Sequence, residues 1–174
     1  MKIEKLIELA EKIKDKELKE KVIEFLKNPK LSNEEIIYPS SNPEEIPSSL
    51  NSHHSKEGGH IEHTTSVTEL AIKLAEHFEK FYGVKINYDY LIAGALLHDW
   101  MKIYHFTKSQ GIWKHSGCLI DHAVLTACEL YARGFPEEVI HIVEAHGGDL
   151  GQAAARPQTI EALIVFMPIL WMLQ

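Results

Sequence analysis

The sequence predicts an all-α domain on three observations. Apolar residues recur at helical spacing in successive stretches, Gly, Pro and cap-forming residues separate those stretches, and no run of alternating apolar and polar residues stands out. At 174 residues the chain can bury a sizeable core as a single domain.

Between Ile3 and Leu26, Leu6, Leu9, Ala10 and Ile13, then Val22, Ile23 and Leu26, fall at helical spacing among charged residues, so a bent helix or a helical pair breaking near Asp15 is expected. Asn28-Pro29 ends it, and Ser32 with Glu35 has the form of a capping box opening a short turn. The following YPSSNPEEIPSSLNSHHSKEGG is a long loop, of the kind that often carries function. A helix from about Ile61 to Tyr82 presents His63, Val67, Leu70, Leu74 and Phe78 on one face and stops at Gly83. Asn87 caps a helix from Tyr88 to about Tyr104, in which Leu91, Ala95, His98 and Lys102 share a stripe and Gly94 permits close packing. HFTKSQGIWKHSG is read as a loop, followed by a helix from Cys118 to Arg133 that ends at Gly134. Pro136 opens the next helix, with Val139, Ile142, Val143 and His146 on one face. After the loop GGDLGQAAARPQ, Pro157 or Thr159 begins the last helix, TIEALIVFMPILWMLQ.

The bulk numbers exclude several classes of function. With 25 acidic against 18 basic residues, a formal charge of -7 disfavours stable nucleic-acid binding. Cys118 and Cys128 form neither a disulfide framework nor a thiolate zinc motif, which fits a reducing cytoplasm. The N-terminus is too charged for a signal peptide, and the apolar ALIVFMPILWML is too short for a confident membrane span and lacks flanking basic residues. That segment is better suited to the core or to a homo-oligomer contact. Eleven histidines is a high count for this length and favours metal chemistry.

The most informative residues are His98-Asp99, at the end of the apolar run LIAGALL. A buried histidine beside a buried aspartate is costly without a cation. His63, His122 and His146 each lie on a separate apolar helical stripe, so several helices can direct donors to one place. Adjacent helical residues point roughly 100° apart, so His98 and Asp99 share an ion only at the helix flank. Asp99 can then turn one oxygen to each of two ions. Imidazole and carboxylate suit Mn, Fe, Zn or Ni about equally, so one or two divalent transition metal ions are expected.

The ordered set GGHIEHT, GALLHDWMK, IDHAVL and EAHGG, with the late PQTIEAL, resembles the HD-domain superfamily of metal-dependent phosphohydrolases over roughly Ser52 to Val165. It is most similar to a branch that includes HD-type 3′–5′ exoribonucleases. The resemblance implies an HD-domain helical bundle over residues 51–174, with residues 1–50 as an N-terminal helical extension and loop packed on the same domain. It makes His63, His98 and Asp99 metal ligands, with His122 and His146 completing a second metal position. Asp99 and Lys102 become the catalytic residues. Lys102, matching an HDxxK pattern, would meet a substrate phosphate or a metal-bound water. His54, with His53 beside it in NSHHSKEGG, would reach the phosphate or the leaving group.

The implied function is metal-dependent hydrolysis of a phosphomonoester or phosphodiester, of a nucleotide or short oligonucleotide. The resembling exoribonucleases carry a separate nucleic-acid-binding domain, so a small-molecule phosphate ester is the expected partner here. One departure matters: the family places a closing aspartate in its last helix where this chain has Ile169, and no acid occurs from Ala162 to Leu173. Asp149, in the loop after His146, is a candidate substitute. The alternative is therefore a catalytically impaired HD-fold module that binds metal or nucleotide.

Overall fold

Leu18 N–H donates to the side chain of Asp15 at 2.9 Å, which starts a helix at the point where the first amphipathic stretch was expected to bend. The backbone N–H groups of Lys14 and Asp15 both donate to the Asp89 carboxylate, at 2.8 and 3.0 Å, and fix the turn before it. The result is a helical pair, α1 (Glu4–Ala10) and α2 (Lys16–Lys27). This computed structural model describes residues 1–147 and 155–172. Asp149 lies outside the described residues.

The remaining helices are α3 (Gly59–Tyr82), α4 (Tyr88–Leu97), α5 (His122–Ala132), α6 (Glu137–Ala145) and α7 (Ile160–Met172). Asn87 caps α4 through Tyr90 N–H at 3.2 Å, Asp121 caps α5 through Ala123 N–H at 2.8 Å, and Thr159 Oγ1 accepts from Ala162 N–H at 3.1 Å at the start of α7. Gly83, at φ 65°, closes α3 in a left-handed conformation that a side chain would disfavour.

Four expectations are corrected. The α-helix from Tyr88 stops at Leu97 and a 3-10 turn, Trp100–Tyr104, replaces its last part. HFTKSQGIWKHSG contains an antiparallel hairpin, β1 (Phe106–Ser109) paired with β2 (Ile112–His115), which turns through Gln110 and Gly111, both at positive φ. The helix expected from Cys118 begins at His122, because Asp121 caps it there. Ser32 forms no capping box: its N–H and hydroxyl donate to Glu129, which also pairs with Arg133.

From Leu91 to Leu97, helix α4 is apolar on every face because both sides are covered. Ile92, Ala93, Leu96 and Leu97 join a cluster with α1, α2, Trp100 and Val143, while Leu91 and Ala95 join Val67, Ala71, Ile142, Val165 and Ile169. Gly94 faces Ile142 of α6, where a Cβ would lie 2.4 Å from Ile142 Cγ2. No helix of the described residues is long and apolar enough to cross a membrane.

Candidate metal centre

Two helices end in the same way. At the end of α4, His98 Nδ1 donates to the carbonyl of Ala95 at 2.8 Å, and at the end of α6, His146 Nδ1 donates to the carbonyl of Val143 at 2.6 Å. A carbonyl only accepts, so in the neutral rings Nε2 carries the lone pair. Each helix terminus thus sets a ligating tautomer. Asp99 follows immediately with φ −110° and ψ 3°, close to the bridge region where many active-site residues sit. That break from α-geometry brings the two adjacent side chains to one point.

His63, one turn into α3, supplies the third donor. Its Nε2 lies 3.2 Å from His98 Nε2 and 3.3 Å from Asp99 Oδ2, and His98 Nε2 is 3.3 Å from the same oxygen. On the other side of the carboxylate, Asp99 Oδ1 lies 3.1 Å from His122 Nε2 and 3.4 Å from His146 Nε2, which are 3.4 Å from one another. Among the described residues, no hydrogen bond satisfies Asp99 Oδ1. A tetrahedral ion with ligand bonds of about 2.0–2.1 Å holds its donors roughly 3.3–3.4 Å apart. Both groups, His63 with His98 and Asp99, and Asp99 with His122 and His146, therefore have donor spacings suited to a metal ion. The donor set fits.

Lys102 Nζ stands 2.7 Å from Asp99 Oδ2 and 3.0 Å from the carbonyl of Ser48. Its ammonium competes with a cation for that oxygen and, once displaced, is beside it. Burial alone would raise the Asp99 carboxyl, but the Lys102 ammonium beside it outweighs that and holds the group ionised, well below the usual carboxylate range. Burial lowers His63 to about 3 and His146 to about 4 against the pull of Asp99, which keeps both neutral. For His122, burial and Lys102 depress the ring, yet the Asp121 and Asp99 carboxylates outweigh them and raise it. Its Nδ1 lies 3.3 Å from Asp121 Oδ2.

All five histidine and aspartate positions singled out for metal come together, and Lys102 joins them. His54 stands outside both groups, with its ring centroid 5.5 Å from that of His63. Sequence reasoning missed Asp121 and Ser48. Asp121 carries a cap signal directly before His122, whereas Ser48 acts through a backbone carbonyl and has no side-chain signature. His60 is fully buried and stacks on Trp100, with ring centroids 5.5 Å apart.

The HD domain family model matches residues 60–167. A dihydroneopterin 2′,3′-cyclic phosphate phosphodiesterase of Methanocaldococcus jannaschii is 53% identical over 165 residues, an alignment covering 94% of this chain. The chain spans 66% of that relative's length. No solved structure matches.

Proposed function

Because the chain belongs to the HD domain family, we propose that it is a metal-dependent phosphohydrolase acting on a small phosphodiester, with a 2′,3′-cyclic phosphate as the leading substrate class. The observation that carries this reading is Asp99, whose Oδ2 meets His63 and His98 while Oδ1 meets His122 and His146. One carboxylate shared by two donor groups suits a pair of divalent ions. Mn, Fe, Zn and Ni are all compatible with these donors.

A bound ion supplies Lewis acidity toward a phosphoryl oxygen and makes water acidic enough to attack phosphorus near neutral pH. The chain's own part is to hold charge in place. Asp99 remains ionised in a buried setting, and His98 and His146 are oriented by backbone carbonyls. Lys102 neutralises charge that develops on the phosphoryl oxygens, and His54 contacts the phosphate or the leaving group. Opening a cyclic diester breaks one P–O bond, adds one water and leaves a phosphomonoester. A nucleotide or short oligonucleotide belongs to the same class, and the acidic balance favours the smaller molecule.

Residues 1–50 are taken as an extension of the same folding unit, since α1 and α2 share a core cluster with α4. A reducing cytoplasm suits the free Cys118 and Cys128. A homo-oligomer contact through α7 is supported by the exposure of Leu163, Met167 and Trp171.

The test is hydrolysis of a nucleoside 2′,3′-cyclic phosphate by the purified chain before and after chelation. Activity should vanish with EDTA and return on adding back a transition metal. Activity indifferent to chelation contradicts the reading. Lys102→Ala should lower kcat/KM by about a hundredfold, while equilibrium dialysis finds metal binding retained because the competing ammonium is gone. Unchanged kcat/KM removes Lys102 from the chemistry.

A second reading, a binding module without turnover, is favoured by Ile169, which is buried with Val67, Ala71 and Val165 and offers no donor. It predicts bound metal with no hydrolysis in the same assay.

A further inference from the structure

The loop that precedes α3 is folded onto the start of that helix. Ser48 N–H donates to the carbonyl of His54 at 3.0 Å, and Gly58 N–H donates to the carbonyl of Glu45 at 2.9 Å. Gly59 makes the close approach possible, because a Cβ there would lie 1.9 Å from the His54 carbonyl oxygen. His54 accepts φ 51°, a left-handed value uncommon for a side-chain-bearing residue. Two loop imidazoles are thereby held about one helical turn from His63.

Ligating atoms of His53, His54 and His63 lie within 4.8 Å of one another. His53 is the nearer ring, with its centroid 4.8 Å from His63, against 5.5 Å for His54. His53 Nδ1 lies 3.4 Å from Ser52 Oγ, which leaves Nε2 as the unengaged nitrogen. Among the described residues of α7, the buried Ala162, Ile164, Val165 and Ile169 are apolar and offer no donor.

We propose that His53, which shares a donor group with His63 but not with His98 or Asp99, turns its ring to become a further metal ligand on the Oδ2 side of the centre, where with His63, His98 and Asp99 it would complete a set of three imidazoles and one carboxylate for a divalent transition ion. The assignment rests on the metal-centre reading above. It gives that ion a fourth protein donor from the loop, opposite in chain order to the last helix, where Ile169 stands. A loop ligand is also an exchangeable one: a substrate phosphate entering beside His54 can take the position that His53 vacates.

The experiment titrates Co2+ into the metal-free full chain and reads both affinity and the visible d–d spectrum. His53→Ala should weaken one class of ion by about tenfold or more and change the spectrum, leaving the other class intact. His54→Asn, in which asparagine tolerates the left-handed backbone, should stay within about twofold of the wild type. Wild-type affinity and spectrum in His53→Ala overturn the proposal while the metal centre stands, as does a loss confined to His54→Asn. Absence of Co2+ binding by the wild type, or equal binding by Asp99→Asn, overturns the underlying metal centre as well.

Discussion

Asp99→Asn is expected to lower kcat/KM for a cyclic phosphodiester by about a thousandfold or more. The substitution keeps the shape of the side chain and removes the single charge that both donor groups share. An amide oxygen still accepts from Lys102, but the amide nitrogen carries no lone pair for an ion on the other side. The loss therefore falls on both metal positions, unlike substitution of His63 or His146, each of which belongs to only one of the two groups that share Asp99. The fold should persist. Asp99 is 1% exposed, and a neutral amide in that setting escapes the desolvation that opposes a carboxylate. Lys102 keeps the carbonyl of Ser48. A wild-type circular dichroism spectrum together with lost hydrolysis is the expected pair of results, and hydrolysis within about tenfold of wild type would remove Asp99 from the centre of the chemistry.

The second large effect is structural. Gly94→Val should destabilise the protein by about 3 kcal/mol, a fall in Tm of roughly 6–12 °C for a chain of this size. A Cβ at residue 94 meets Ile142 Cγ2 at 2.4 Å and Cβ at 2.7 Å, and these belong to a branched side chain packed in the core, which has little room to retreat. The strain reaches the site because α4 and α6 end at His98 and His146, on opposite sides of Asp99. Separating the helices moves the two imidazoles apart and should weaken metal binding along with the fold. Ile142→Ala in the Gly94→Val background should recover part of the lost Tm by opening the space that valine needs. Thermal denaturation of the single and double variants checks this, and an unchanged Tm in Gly94→Val would show that the helices are not packed as closely as described.

Helix positions were legible in the sequence because their apolar spacing matches the faces they bury, and because Asp15, Asn87 and Gly83 carry local signals for ends that form as expected. The failures have physical causes. Periodicity runs unbroken from Tyr88 to Tyr104, since both the helix and the 3-10 turn after it bury their residues, so the break at His98-Asp99 leaves no mark on the hydrophobic pattern. The hairpin was missed because β2 shows no alternation of buried and exposed residues. Its detectable sign was the Gln110-Gly111 turn. Ser32 looked like a cap and instead serves a contact to Glu129 across 97 residues of sequence, which no local pattern contains.

The candidate site was legible for a similar reason: histidine and aspartate are chemically distinctive and stand out on apolar stripes. What sequence could not supply was their orientation. The carbonyls of Ala95 and Val143 that set the His98 and His146 tautomers are backbone groups, and the approach of the His53-His54 loop depends on Gly59 meeting a carbonyl in space. The difference between His53 and His54 emerges only from the ring distances to His63.

The central claim is that Asp99 joins two donor groups into one metal centre. Elemental analysis of the purified wild-type chain and of Asp99→Asn, each exposed to the same transition metal and then dialysed, tests it most directly. The account predicts about two ions per wild-type chain and essentially none in the variant. No bound metal in the wild type, or equal metal in both proteins, would contradict it.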